Sequence, residues 1–410
     1  MSEVRTKPAL VVFTHVFPNP TQATFGLFIR ERMFRVAREQ PVTVVAPVPW
    51  FPGQGLLRRL RPGYRPVVPF HEVQQGIDVF HPRFLSIPRF LKFTDGLFEA
   101  LFSLPLMRRL RREGRLDIID AHFIHPDGVA AWVLGRMLGV PYTITLRGAL
   151  PRIARTRVRR RLAIRAMGSA ARVFAVSESL RQKAISLGIE PGHVQVVSNG
   201  INLELFQPVD RDRCREELGI DPGARVLLTV GTLTDNKGFH RVMEQMPALL
   251  RRYPDLVYLV VGGEHPNGDE QRLRRIAHEL GISDQVRFMG VQPPDRLKLF
   301  YSAADLYVMP SRTEGWANVF LEAAACGLPA VATRVGGNAE VISSSEVGTL
   351  VPFGDGEALC RAMEEGLERD WDREVIIAHA RNNAWERRIP ELVSAFQAID
   401  IRPTAVRAES

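Results

Sequence analysis

The sequence predicts two consecutive α/β domains, each a Rossmann-like, doubly wound parallel sheet, facing a central cleft. Three observations carry this. Short apolar runs rich in β-branched residues alternate with longer helical patterns along all 410 residues, and continuous apolar strands joined by crossover helices belong to parallel sheets covered on both faces. The alternation pauses after Asn199-Gly200, through Phe206-Gln207-Pro208, and then restarts. Charge changes sign at the same place: residues 1–205 carry 30 Lys and Arg against 14 Asp and Glu, net +16, and the remainder carries 24 against 31, net −7, within an overall +9. Such a split implies lobes with different partners.

In the first lobe, strands are expected at Ala9–Thr14, Val42–Ala46, Asp117–Ala121, Tyr142–Thr145, Val173–Val176 and Val194–Val197, with helices at Leu27–Glu39, Gly96–Arg112, Gly128–Leu138, Arg155–Met167 and Ser179–Leu187. The Pro- and Gly-rich section Pro47–Pro88 reads as an excursion with an edge hairpin that includes Ile77–Phe80. In the second lobe, strands at Arg225–Val230, Leu256–Val261, Val286–Met289, Leu306–Met309 and Ala330–Ala332 alternate with helices at Gly238–Arg252, Gln271–Leu280, Pro294–Ser302, Trp316–Cys326 and Glu357–Leu367. The expected domains are 1–205, 206–370, and a helical segment 371–410 that packs back toward the first lobe and ends in a tail.

A composition of 45% hydrophobic and 24% charged residues excludes a disordered chain, and three scattered cysteines exclude a disulfide scaffold or a C-x-x-C metal pair. No apolar run reaches membrane-spanning length. The expectation is a cytoplasmic protein, with peripheral attachment to the inner membrane face left open by Arg152–Arg172, eight arginines with no acidic residue between them. That run suits an anionic surface or an ordinary solvated face.

Several segments can carry chemistry. Val230-Gly231-Thr232-Leu233-Thr234-Asp235-Asn236-Lys237-Gly238 runs from a strand through a glycine turn to a lysine at a helix start. Its amides and Lys237 suit a phosphate, and a bare tight turn fits as well. A second turn, Gly262-Gly263-Glu264, closes the next strand. In Met309–Ala323 a loop carries Glu314 and a helix carries Glu322, so two carboxylates eight residues apart face one cleft: Glu314 suits sugar hydroxyls and Glu322 a diol. The amides of Asn318, Val319 and Phe320 lie between them as donors to phosphate. In the first lobe, Gly26 precedes a helix, His15 and His122 close apolar strands, and Arg147 ends the strand Tyr142–Thr145 region. His122, His125 and Asp127 crowd one loop, where three side chains seldom reach a common tetrahedral point, so no metal site is expected. Asp210-Arg211-Asp212 reads as surface or a helix cap rather than a metal motif.

The Gly231–Gly238 turn, Gly262-Gly263 and above all Glu314-x7-Glu322, with Gly315-Trp316-x-Asn318-Val319 and Ala325-Cys326-Gly327-Leu328-Pro329, resemble the retaining glycosyltransferases of family four, which have the GT-B fold. Pro126-Asp127-Gly128 with Thr145-Leu146-Arg147-Gly148 is similar to enzymes of exopolysaccharide and teichuronic-acid-type assembly. The resemblance implies transfer of a sugar, with retention, from a nucleotide-diphosphate sugar, a UDP-sugar foremost, to a glycan or lipid-pyrophosphate-linked acceptor, without metal or other cofactor. Glu314 and Lys237 are expected in catalysis, with Arg147 at the position of the family's histidine and His122 sharing that role. The resemblance places Lys237, Glu314, Asn318, Val319, Phe320 and Glu322 on the donor, and the residues themselves add the turns at Gly26, Gly231, Thr232 and Gly263 as expected donor contacts. Two departures stand out: Thr232 replaces the arginine usual in the glycine turn, with Arg312, Arg334 or a first-lobe arginine as substitutes, and Arg147 replaces a histidine. The alternatives are a nucleotide-sugar epimerase on the same fold, a bilobal binding protein, and a basic nucleic-acid binder, although no aromatic interleaving or recognition module supports nucleic acid.

Overall fold

The computed structural model describes residues 7–60, 65–87, 91–154, 156–263 and 269–401. Arg155, Glu264 and the Arg152 side chain lie outside the described residues. The chain forms two compact units, one of residues 1–198 with 388–410 and the other of residues 199–387.

The first unit contains β1 (Leu10–Phe13), β2 (Val42–Val45), β3 (Val48–Trp50), β4 (His71–Gln74), β5 (Ile77–Phe80), β6 (Arg83–Leu85), β7 (Ile118–His122), β8 (Tyr142–Leu146), β9 (Arg172–Ala175) and β10 (Val194–Val196). Eight of these form one sheet in the order β10-β9-β8-β7-β1-β2-β5-β4, while β3 and β6 pair separately. Every pairing in the large sheet is parallel except the β4–β5 hairpin at its edge. The central strands are buried throughout, as Leu-Val-Val-Phe in β1 shows, because helices cover both faces.

The second unit contains β11 (Val226–Val230), β12 (Val257–Val261), β13 (Val286–Gly290), β14 (Leu306–Met309), β15 (Ala330–Thr333) and β16 (Gly348–Val351), all parallel, in the order β13-β12-β11-β14-β15-β16. Side chains alternate between two cores. Leu228, Val230, Leu259, Val261, Tyr307 and Met309 pack on one face, and Leu227, Tyr258, Val260, Leu306 and Val308 on the other. The strand order reverses between β11 and β14 here, and between β1 and β7 in the first unit. At such switch points the loops leaving the carboxyl ends diverge and open a crevice.

The structure departs from the sequence expectation at particular elements. The helix expected over Gly238–Arg252 is two, Phe239–Met243 and Met246–Leu250, because Pro247 cannot donate an amide into the first. Strand β16 was not expected; it is four residues long and starts on Gly348, where a Cβ would stand 2.3 Å from the Ala330 carbonyl oxygen. The units divide between Ser198 and Asn199, not after Leu205. Residues from Asn199 onward pack in the second unit, where Ile201 bridges Ala384 and a Cβ on Gly200 would lie 2.7 Å from Trp385 Cα. The helix Arg373–Asn382 stays with the second unit, and the helix Trp385–Gln397 ends in the first, where Phe396 is buried edge-on against Phe174 at 5.5 Å.

Gly262 has φ 148°, and a Cβ there would stand 1.8 Å from the Gly231 carbonyl oxygen. Gly281 also has positive φ, 67°, but nothing lies within 4 Å of its Cβ position. Gly262→Ala is therefore expected to destabilise by more than about 2 kcal/mol, and Gly281→Ala by only about 1 kcal/mol, read as urea midpoints at unchanged m-value.

Candidate active site

In the second unit, the loops leaving β11 and β14 flank the switch point. The first turns at Gly231 and an exposed Thr232, makes one 3₁₀ turn over Asp235–Lys237, and enters the next helix through Gly238 in the left-handed conformation. The second runs from Pro310 to Ala317 and enters the helix Asn318–Ala325. Hydrogen bonds zip the two together: Arg312 N–H donates to Asn236 O at 2.8 Å, Asn236 Nδ2 to Thr313 O at 3.0 Å, and Thr313 Oγ1 to Asn236 Oδ1 at 2.9 Å. A Cβ on Gly238 would stand 2.4 Å from Pro310 O, and one on Gly336 would stand 1.8 Å from Glu314 O. Glycine at both places lets backbone meet backbone.

That approach brings Lys237 Nζ within 2.8 Å of Glu314 Oε1, with the Glu314 side chain only 10% exposed. Asp235 sits beside them as an anionic hub, facing Arg312 at 2.8 Å, Arg272 at 3.5 Å, His240 at 3.6 Å and Arg241 at 3.8 Å. Arg312, offered as a substitute for the missing turn arginine, is thus paired with Asp235, and Arg334 is exposed. Leu233 N–H donates to Gly263 O at 3.0 Å, which ties the β12 turn to the β11 turn.

The helix Asn318–Ala325 has no side-chain cap. Asn318 Oδ1 accepts from Asn199 Nδ2 at 3.1 Å, Val319 is half-buried, and Phe320 N–H already donates to Ala317 O at 3.2 Å. Phe320 is buried edge-on against Tyr307. One turn further, Glu322 Oε2 accepts from Tyr301 Oη at 2.7 Å. Burial pushes the Glu322 carboxyl up to about 7, against the opposing effect of that hydrogen bond. Tyr301 and Gly336 were not singled out from sequence; each acts only through a neighbour far along the chain, and neither lies in a recognisable motif.

In the first unit, Gly26 has φ 80°, and a Cβ there would stand 2.4 Å from Val16 O, so its close approach is to the preceding loop. His122 is fully buried at the end of β7. Its Nδ1 faces Arg147 Nη2 at 3.0 Å, and its Nε2 lies 3.1 Å from Asp120 Oδ2 without hydrogen-bond alignment. Burial lowers its pKa, Asp120 opposes this, and Arg147 adds to it. Both nitrogens of this neutral ring therefore face protein. Arg147, 5% exposed at the end of β8, stacks its guanidinium 4.8 Å from the Phe28 ring. Burial, reinforced by Arg32, pulls its pKa well down. On the helix Arg157–Gly168, Arg157, Arg160, Arg161 and Arg165 are exposed. Asp210 caps the helix Arg211–Glu217, its Oδ1 accepting from Arg213 N–H at 2.8 Å.

Comparisons with known proteins place the chain in a family. The model for Glycosyltransferase Family 4 matches residues 74–205, and that for Glycosyl transferases group 1 matches residues 210–383. A D-inositol 3-phosphate glycosyltransferase of Acidothermus cellulolyticus is 31% identical over 328 residues, covering 72% of this chain and 70% of the relative. The chain belongs to glycosyltransferase family 4. The same-named protein of Corynebacterium urealyticum is 36% identical over 228 residues, 53% of this chain and 54% of the relative, so the match to this second family 4 protein spans about half its length. Among solved structures, sucrose-phosphate synthase from Thermosynechococcus elongatus superimposes with TM-score 0.77 at 21% identity, covering 95% of this chain and 98% of that one. Anabaena HepE in complex with UDP gives 0.73 at 17%, covering 95% and 100%. These likenesses show the GT-B fold for this family 4 chain, and none of the relatives named here is an epimerase. No helix among the described residues is long and apolar enough to cross a membrane.

The raised Glu322 carboxyl gives a signed expectation. A carboxyl whose folded pKa lies above its ordinary 4.5 stabilises the fold below that value, and the contribution is lost as pH rises through about 7. Glu322→Gln is therefore expected to melt above wild type at pH 8, with the gap closing toward pH 5; a gap independent of pH rejects the assignment.

Proposed function

We propose that this protein transfers a sugar, with retention of configuration, from a UDP-sugar to a hydroxyl-bearing glycan or lipid-pyrophosphate-linked acceptor in cell-surface polysaccharide synthesis. The carrying observation is the arrangement at the β11/β14 switch point, where Lys237 and Glu314 meet and Glu322 keeps one carboxylate oxygen for a ligand while Tyr301 holds the other. On this reading the diphosphate takes Lys237, with the turns at Gly231, Thr232 and Gly263 close to its oxygens. The open helix start at Asn318 and Val319 offers amides. Glu314, released from Lys237, accepts donor-sugar hydroxyls, and Glu322 accepts those of the ribose. Charge accumulates on the leaving diphosphate as the glycosidic bond breaks, and preorganised donors in a desolvated site stabilise that charge most. Cation and amides supply this without a metal. HepE, whose complexes contain UDP and UDP-glucose, favours uracil as the base.

On the acceptor side, Arg147 receives an anionic group, with His122 as the residue that positions its guanidinium. The relatives' named acceptor, an inositol phosphate, is likewise a polyol with an anionic group. The exposed arginines of Arg157–Gly168 suit an anionic membrane carrying a lipid-linked acceptor.

Calorimetric titration in EDTA with UDP-, GDP- and ADP-glucose tests the donor site. UDP-glucose is expected to bind, and Glu322→Ala to weaken it roughly 10- to 100-fold, the range for lost hydrogen bonds to a charged group. Equal affinity in the variant, or binding that requires added metal, overturns the reading. For the membrane, sedimentation with vesicles rich in phosphatidylglycerol is expected to capture the protein at low salt and release it at high salt. Replacing Arg157, Arg160, Arg161 and Arg165 with Gln abolishes capture if that face is responsible.

A further inference from the structure

At the switch point of the first unit, the carboxyl end of β1 carries His15 and that of β7 leads into Phe123–Gly128. The two meet: His15 Nδ1 lies 2.5 Å from Asp127 Oδ1, and the His15 backbone N–H donates to the same oxygen at 3.3 Å. Asp127 is fully buried, while 29% of the His15 side chain is exposed. Asp127 therefore fixes the Nδ1–H form of the ring and leaves Nε2 to accept. Behind them stands Glu99, fully buried, from the helix Asp95–Arg112. One atom each from His15, Glu99 and Asp127 falls within 4.8 Å of the others. Among the described residues, neither Glu99 oxygen nor Asp127 Oδ2 has a hydrogen-bond partner. The loop between them holds Phe123 at φ 74°, a conformation a bulky residue keeps only when its surroundings impose it.

Buried polar atoms without partners, beside a half-exposed histidine at a ligand-binding position of the sheet, point to an unassigned site. We propose that it receives the acceptor hydroxyl: His15 Nε2 accepts the hydrogen bond of a sugar or polyol hydroxyl, Asp127 orients the ring, and Glu99 lines the buried end. The proposal rests on the transferase reading above and names the residue that holds the group to be glycosylated. A divalent cation fits less well, because the histidine nitrogen facing the cluster is already bonded to Asp127. Burial, with Asp127 and Asp95 nearby, pushes Glu99 well above the usual carboxylate range. Burial lowers the His15 pKa, but the charge and hydrogen bond of Asp127 outweigh it, Asp95 adds to the rise, Lys92 opposes it, and the net shift is upward from 6.5. Nε2 therefore becomes an acceptor at a higher pH than in an ordinary histidine.

The test uses the full chain with ¹⁵N-labelled histidine, observed by NMR, with myo-inositol, 1D-myo-inositol 3-phosphate and D-glucose as probes. Expected are an Nδ1–H tautomer, a titration midpoint above 6.5, and movement of the His15 Nε2 resonance by at least one probe. That movement disappears in Asp127→Asn and survives in Glu99→Gln. In transfer assays, His15→Gln is expected to raise the acceptor KM at least tenfold and leave the donor KM unchanged. An Nε2–H tautomer overturns the proposal. So does silence to every probe in protein that still binds UDP-glucose, or a response to MgCl2 that Glu99→Gln abolishes, which would mark a cation site. Failure of the wild type to bind any nucleotide sugar removes the transferase reading and this proposal together.

Discussion

The close approach of backbone to backbone at the carboxyl end of the second sheet is the constraint on which the rest of the site depends. Gly262 lies over Gly231, Gly238 over Pro310 and Gly336 over Glu314, each where a Cβ would overlap a carbonyl oxygen or fall well inside contact distance. Because these contacts are made by main chain, the β11, β12 and β14 loops can share hydrogen bonds and hold Lys237 and Glu314 at 2.8 Å. A side chain at any of the three positions would push the loops apart before it altered any charge. The ion pair follows from the steric arrangement.

Once the loops are set, burial decides what each charge can do. Lys237 and Glu314 keep each other company in a partly exposed position, where removing one partner is costlier than the pair is valuable. Among the described residues Glu322 has no ion-pair partner and is held by a tyrosine hydroxyl, so desolvation prevails and its proton is retained toward neutrality. A ligand that brought hydroxyls and negative charge together would suit both, its anion facing Lys237 and its hydroxyls facing the carboxyl oxygens. The same logic separates Asp305, which meets Arg211 and Arg215 and is structural, from Glu322, which meets no base among the described residues.

Much of this was legible in the sequence because it is periodic or clustered. The strands of both sheets are continuous apolar runs, and Glu314 and Glu322 stand eight apart across a strand-loop-helix junction, which places both at one sheet end once the helix start is known. What stayed hidden depends on contacts distant in sequence. Tyr301 reads as an ordinary core aromatic until its hydroxyl is seen against Glu322. Gly336 reads as a loop glycine until its φ of 53° and its contact with Glu314 are known. β16 was missed because Gly348 weakens its strand pattern while its position is set by close packing on β15. His122 reads equally as a ligand contact or a structural hydrogen bond, and the structure sets its nitrogens against Arg147 and Asp120.

The two units share a doubly wound parallel core with one switch point yet place different side chains there, and the distribution of glycine and histidine explains how. In the second unit β11 and β12 run into Gly231 and Gly262-Gly263, so main chain, Lys237 and the Glu314 and Glu322 carboxyls line the crevice. In the first unit β1, β7 and β8 end in side chains, with His15, His122 and Arg147 at or just beyond their last residues. Amide-lined crevices suit phosphate, whose charge is spread over several oxygens. A histidine oriented by a buried carboxylate suits a single hydroxyl, because it presents one acceptor in one direction. The replacement of a strand-end histidine by Arg147 therefore does not empty the first unit of neutral acceptors. His15, whose ring Asp127 holds just beyond β1, can present one, while burial pulls the Arg147 guanidinium at the β8 end well below its usual range.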